Sequence, residues 1–277
     1  MSVETIIPWS QRPELEYTLR QNTPFFEAMG SEVIVVNCGG DSQMLRKIRG
    51  SRGLVRTRQV DLPDTRFNRG LALNIGVHAA NDDAVVFMLD ADILLTGSLR
   101  QHAEMCVHRN CFAVLAGLTA VPPRPARFTP PAGSFIEKIV EEISDYYHWA
   151  DGTVTKVVRA RLDCVPDRRA APGIMMARKR HLVEVGGYRS DFVGWGWEDI
   201  DVQIRLLRLG LECVHVDEEI RHLEHGDDKR DLDKPMTEVE NANRSRVWDS
   251  FCAGKFIGTY NTDVERFQSV ISRHAVV

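Results

Sequence analysis

Short apolar runs separated by polar, turn-forming stretches punctuate the first half of the chain. Thr5-Ile6-Ile7-Pro8, Val33-Ile34-Val35-Val36-Asn37 and the run from Ala84 to Leu89 suit strands buried on both faces. Arg12-Pro13-Glu14-Leu15 opens a helix with proline near its first turn, and Cys38-Gly39-Gly40-Asp41 turns the chain into a helix ending near Ile48. Two strand-turn-helix units in succession predict a parallel sheet with right-handed crossovers. Apolar residues at 71, 75 and 79, with small residues between, describe a helix packed closely on that sheet. Farther on, the pattern predicts a helix from Ser98 to His108, a strand from Phe112 to Leu118, and an extended loop where five prolines fall between Val121 and Pro131. Ile136, Ile139, Val140, Ile143 and Tyr147 share one face of a predicted amphipathic helix over Ile136–Trp149. A strand over Ala171–Ala177, a short helix, a helix from Glu198 to about Leu209, a strand over Leu211–Val216 and a helix over Thr237–Cys252 complete the pattern.

Composition narrows the class. The chain has 277 residues, 43% hydrophobic and 27% charged, as expected of a globular α/β protein with a sizeable core. A net charge of −4 gives no electrostatic case for nucleic acid as a partner. No apolar run has the length of a membrane helix and no signal peptide is visible, so a cytoplasmic protein is expected. Six cysteines without Cys-x-x-Cys spacing read as reduced core thiols.

The chemistry gathers in three places. Asp90-Ala91-Asp92 follows the third apolar strand, at the edge where open α/β sheets bind ligands. Residues i and i+2 of an extended chain point the same way, so both carboxylates face one cleft, and a divalent metal carrying a phosphate group relieves their repulsion. A polar turn capping the next helix is the plainer alternative. Arg66, Arg69 and Asn74 lie around the start of the preceding helix, a place suited to an anion or simply a solvated face. In Gly194-Trp195-Gly196-Trp197-Glu198-Asp199-Ile200-Asp201, the glycines allow close backbone approach and the rings suit stacking on a sugar. Three acids open the helix there; capping accounts for at least one, and three exceed what capping needs. Finally, His222 and His225 can reach one metal if the backbone turns, or are surface polar residues.

Taken together, Ile6-Ile7-Pro8 with Arg12, Phe67-Asn68-Arg69 with Asn74-Ile75-Gly76, Asp90-Ala91-Asp92, Gly194 to Asp199, and Arg221 to His225 resemble glycosyltransferases of the GT-A fold. They are family 2-like, and the second half is most similar to the β-1,4-galactosyltransferase group. The resemblance implies a Rossmann-like, mixed but mostly parallel central sheet flanked by helices. It also implies one GT-A unit over 1–277: a nucleotide-sugar half (1–118), an insertion (119–170) and an acceptor- and metal-binding half (171–277). By the same resemblance, donor contacts fall to Pro8, Arg12, Phe67, Arg69, Asn74 and Ala91, with Asn37 or Asp41 near the base and Asp90 near the ribose. Asp92, second acid of the DXD motif, would ligate the metal with His222 and His225. Asp199 would be the catalytic base and Glu198 a sugar contact, with Trp195, Gly196 and Trp197 forming the acceptor wall. The chain departs from the group at Ser10, where arginine stands, at Trp197, where glycine stands and where bulk would narrow the sugar pocket, and at His222, which replaces methionine. The nitrogen ligand fits Mn²⁺ or Mg²⁺.

The expected activity is therefore inverting, metal-dependent transfer of a hexose from a UDP-sugar to an acceptor hydroxyl. The acceptor is a saccharide, peptide, lipid-linked or small molecule. A nucleotidyltransferase or metal-dependent phosphohydrolase, and a non-catalytic nucleotide-sugar-binding module, are the alternatives the same residues allow.

Overall fold

The computed structural model describes residues 2–63, 65–124, 128–165, 167–192, 194–225 and 234–274. Strands β1 (Val3–Trp9), β2 (Ser31–Cys38), β3 (Thr57–Leu62), β4 (Val85–Met88), β6 (Cys111–Leu115), β11 (Met175–Arg178) and β12 (Glu212–Val216) form a seven-stranded sheet in the order β12-β6-β11-β4-β1-β2-β3. All neighbouring pairs are parallel except those of β11, which runs antiparallel to both β4 and β6. The parallel strands expected from the apolar runs are joined by antiparallel β11, giving the mixed, mostly parallel α/β sheet that the resemblance implies.

Alternation explains why those runs are continuous in apolar character. Val3, Ile7, Val33, Val35, Val85 and Phe87 point to one face, where Leu15, Leu19 and Phe26 of α1 (Glu14–Met29), Leu45 of α2 (Ser42–Arg49) and Ala103 of α4 (Arg100–His108) cover them. Ile6, Ile34, Val36, Val86 and Met88 point to the other, under α3 (Arg69–Ala79), α5 (Lys179–Glu184), α6 (Glu198–Arg208) and α8 (Tyr260–His274). Gly76 lets α3 lie against β1: a Cβ there would stand 2.3 Å from Ile6 Cγ2.

A smaller sheet, β10-β7-β13-β5, joins β5 (Ile93–Leu95), β7 (Leu118–Val121), β10 (Arg168–Arg169) and β13 (Ile220–Leu223). The predicted strand over Phe112–Leu118 therefore divides, its first part entering the large sheet and its last residue the small one. Asn22 of α1 is buried and donates to Ile93 O while accepting from Leu95 N, which fixes β5 behind the first helix. These strands are too short and mixed in polarity to show a period in the sequence, and β3, β5, β13 and α8 are found only in the structure.

The helix expected over Ile136–Trp149 is instead β8 (Val140–His148), paired antiparallel with β9 (Val154–Asp163) in a hairpin. Val140 and Ile143 are exposed, so their helical spacing reflects no buried face, and β-branched and aromatic residues accept the strand once β9 supplies the ladder. Tyr147 anchors the hairpin, packing at 5.3 Å from Trp248 on α7 (Met236–Cys252) and joining a third cluster with Phe192, Ile200 and Phe251.

Of the acids opening α6, Asp201 belongs to the frame. It is fully buried, pairs with Arg205 at 2.5 Å, and Arg205 also donates to Val185 O and Gly187 O. Asp201→Ala leaves a buried guanidinium without its counter-charge and should cost about 3–5 kcal/mol in denaturant unfolding. A loss below ~1 kcal/mol in that measurement would show the pair to be well hydrated instead.

Candidate active site

Three elements of low sequence proximity meet at the carboxyl end of the large sheet. Asp92 lies in the turn between β4 and β5, and β13 returns His222 beside β5, where His222 pairs with Ile93 in register. His222 Nε2 stands 3.7 Å and His225 Nε2 3.2 Å from Asp92 Oδ2, and the ring centroids lie 5.3 Å apart. One ligand atom from each of Asp92, His222 and His225 falls within 4.8 Å of the others. A single carboxylate oxygen and two imidazole nitrogens at that spacing can hold a divalent cation. Burial alone would raise the Asp92 carboxyl, but the His225 hydrogen bond and nearby His222 and Arg12 hold it below the ordinary range. Burial lowers His222 despite Asp92, leaving neutral imidazole, the form that ligates metals.

Arg12 supplies a feature of its own. Its Nη1 is buried with no hydrogen-bond partner among the described residues, and its guanidinium acts on Asp92. Such an orphaned donor beside a cation-competent triad suits a diphosphate oxygen. Pro8 is buried near the end of β1, and Ala91 is buried between the two acids in sequence.

Sequence reading missed the shell behind His222. Glu224 Oε1 lies 3.2 Å from His222 Nδ1 and 2.5 Å from Arg169, and its other oxygen meets Arg124 at 2.5 Å. The alternation Arg221-His222-Leu223-Glu224 was the available hint, since i and i+2 share a strand face.

The second acidic group is tied to Arg69. Its Nε donates to Asp90 at 2.9 Å, its Nη1 to Asp199 at 2.5 Å and its Nη2 to Gly173 O at 3.0 Å, while Glu198 lies 3.9 Å away. Burial, reinforced by Asp199 and opposed by Arg69, pushes Glu198 up to about 7. Asp199 is also raised by burial, with Arg69 pulling it back. Trp197 at the N-cap of α6 makes no side-chain cap, while the Glu198 carboxyl accepts a backbone amide bond, so capping accounts for part of Glu198 but not for Asp199, bound to Arg69, or Asp201, bound to Arg205.

Other expected contacts separate into open and enclosed residues. Phe67 and Trp195 keep more than two fifths of their surface exposed. Trp197 does not: it sits at φ 75, buried in the third cluster with Arg159 over its ring at 5.6 Å, so its bulk is absorbed by the hairpin side. The left-handed conformation costs a non-glycine residue of order 1–3 kcal/mol, offset here by that burial. Gly196 keeps the chain close to α7, where Asn243 donates to Gly196 O at 3.1 Å. Asn74 is a correction: fully buried, it bonds Tyr188 N and O and Asp263, so it ties α3 to α8 and has no face for a donor. Asp41 caps α2, accepting from Gln43 and Met44 amides, and Asn37 is bonded to Asp61 at 2.7 Å.

Residues 165–228 match the family model described as the N-terminal domain of galactosyltransferase. This segment contains Trp195, Glu198, Asp199, His222 and His225, so the likeness expected of the second half is found there. The chain is thus a mixed, mostly parallel α/β fold whose 165–228 segment is similar to the galactosyltransferase N-terminal domain family. Among solved structures, S. aureus TarS 1–349 is 15% identical with a TM-score of 0.49, over 80% of this chain and 60% of that one. This chain thus spans less than two thirds of that chain's length. The catalytic domain of Drosophila β1,4-galactosyltransferase 7 with xylobiose is 17% identical with a TM-score of 0.46, over 88% and 79% of the two chains. A mutant of that enzyme was solved with manganese, UDP-Gal and xylobiose; it is 17% identical, with a TM-score of 0.46 over 86% and 78%. No curated protein matches the chain. Among the described residues no helix is long and apolar enough to cross a membrane.

Proposed function

We propose that the protein is an inverting, metal-dependent glycosyltransferase that moves a hexose from a UDP-sugar to an acceptor hydroxyl. The observation that carries the reading is the meeting of Asp92, His222 and His225 around one point, with Asp90 of the same turn tied through Arg69 to the acidic group on α6. Asp92, His222 and His225 would hold Mn²⁺ or Mg²⁺. Bound there, the cation supplies Lewis-acid stabilisation of charge building on the departing diphosphate.

The chain's own groups do the rest. Arg12 offers its unpartnered Nη1 to a phosphate oxygen. Trp195 presents a flat face to the acceptor, in the manner of sugar-stacking aromatic residues. Asp199 accepts the acceptor proton as the hydroxyl attacks, and direct inversion needs only that one carboxylate. In this reading, residues 1–118 carry the donor side and 171–277 the acceptor and metal side. Cytoplasmic placement and a saccharide or other hydroxyl-bearing acceptor belong to the same proposal.

A panel of UDP-sugars with Mn²⁺ or Mg²⁺ tests it. The productive donor should raise thermal stability, by about 2.7 kcal/mol at a hundredfold excess over Kd. UDP release should require added acceptor. Release of pyrophosphate, or of free phosphate without acceptor, would instead point to phosphoryl chemistry.

Arg169 Nη2 lies 2.9 Å from His222 Nδ1 and can only donate, so Glu224 is expected to act by competing with it, accepting a hydrogen bond from Nδ1 and leaving Nε2 free for the cation. Glu224→Gln should weaken Mn²⁺ binding roughly 10–100-fold by calorimetric titration. Unchanged affinity would remove Glu224 from that supporting role.

A further inference from the structure

We propose, on the basis of the transferase reading above, that Arg69 is a positioning residue which divides two neighbouring carboxylates into a proton acceptor, Asp199, and a neutral hydrogen-bond donor, Glu198. The family resemblance places Arg69 on the nucleotide, but the geometry gives its guanidinium other work. All three nitrogens are engaged inside the protein, by Asp90, Asp199 and the Gly173 carbonyl, and the side chain is largely buried. Three of its five N–H donors are thus committed within the protein, one from each nitrogen.

The division follows from where the single cation sits. Glu198 and Asp199 are adjacent at the start of α6 and both buried, and two carboxylates so placed do not both ionise without compensation. Asp199 has the guanidinium at hydrogen-bonding distance, whereas Glu198 is 3.9 Å away and receives no side-chain bond from it. Charge therefore stays on Asp199 and the proton on Glu198. A protonated carboxyl can donate to a sugar hydroxyl, which an ionised one cannot.

The groups facing the pair come from every element packed on it. These are Arg69 on α3, Asp90 after β4, the Gly173 carbonyl before β11 and the Tyr188 hydroxyl after α5. Tyr188 is fully buried and its phenol is pushed up by burial and by Asp199, so it remains neutral. Gly173 is part of the device. A Cβ at that position would stand 2.5 Å from Asp199 Oδ2 and 2.8 Å from Arg69 Nη2, so only glycine lets the ion pair close against the main chain.

The test compares wild type with Arg69→Met, Arg69→Lys and Gly173→Ala in the full chain. Carboxyl ¹³C NMR titration, with Asp199→Asn and Glu198→Gln spectra for assignment, reads each proton directly. In wild type Asp199 should titrate below Glu198. Arg69→Met should move Asp199 upward into the Glu198 range, with Arg69→Lys restoring part of the separation and Gly173→Ala raising Asp199 by loosening the pair. UDP binding in the presence of Mn²⁺ should change less than about threefold in Arg69→Met, a shift below 1 kcal/mol. The acid limb of kcat should move to higher pH in step with the titration. An unmoved Asp199 titration, or tenfold weaker UDP binding, overturns the proposal. Should Arg69→Met fold poorly, Arg69→Lys and Gly173→Ala give the same readings. The titration needs no turnover, so a wild-type protein lacking acceptor-dependent UDP release would refute the transferase reading separately.

Discussion

Asp199→Asn should lower turnover by roughly 10²–10⁴-fold, about 3–5 kcal/mol of transition-state stabilisation, while UDP and Mn²⁺ still bind. The amide keeps the size of the side chain and can still meet Arg69, but it cannot take a proton from the acceptor hydroxyl. The cation-competent triad lies on other elements, with Asp92 after β4 and His222 on β13, so the substitution leaves it intact. Acceptor-dependent UDP release, measured beside calorimetric binding of UDP with Mn²⁺, separates the two effects. Turnover within tenfold of wild type would take the base role from Asp199. Glu198 would then be the residue to test, as the nucleophile of a double displacement.

Asp92→Ala should have a comparable effect by a different route. The substitution removes the only carboxylate of the triad and leaves two imidazoles, so cation affinity should fall by more than the roughly 10–100-fold typical of losing an outer-shell partner. UDP binding should lose its dependence on Mn²⁺, and activity should disappear. Treating wild type with a chelator should reproduce that loss, and added Mn²⁺ should reverse it. Burial already keeps His222 neutral, but Arg12 loses its neighbouring carboxylate and His225 its hydrogen-bond acceptor, so a modest loss of stability should accompany the loss of cation binding. Metal-stimulated UDP binding that survives Asp92→Ala would show that the cation is held elsewhere.

The site was unevenly legible. Asp90-Ala91-Asp92 stood out because a strand buried on both faces must be apolar throughout, so two acids at its end are conspicuous. Glu198 and Asp199 stood out by excess, three acids where a helix start needs one. Asn74 misled because a polar residue near a helix start looks the same from sequence whether it faces a cleft or bonds across to Tyr188 and Asp263. Trp197 misled similarly: its bulk was evident, but the hairpin that receives it was read as a helix. That error arose because 3–4 spacing of Ile136, Ile139, Val140 and Ile143 fits a helix, while the competing partner, β9, lies beyond the window in which periodicity is judged.

Local physics thus settled from the chain alone the apolar strands of the large sheet, most of the helices flanking it, and the polar residues interrupting them. Both depend on neighbours within a few residues, through strand alternation and helix periodicity. Tertiary structure alone decided which of those polar residues share a point in space. The return of β13 beside β5 sets His222 and His225 against Asp92, and the start of α3 brings Arg69 between Asp90 and Asp199 at the start of α6. Such meetings come from sheet order and long-range pairing, whose energies are spread over the whole core and leave no mark on the residues that finally touch.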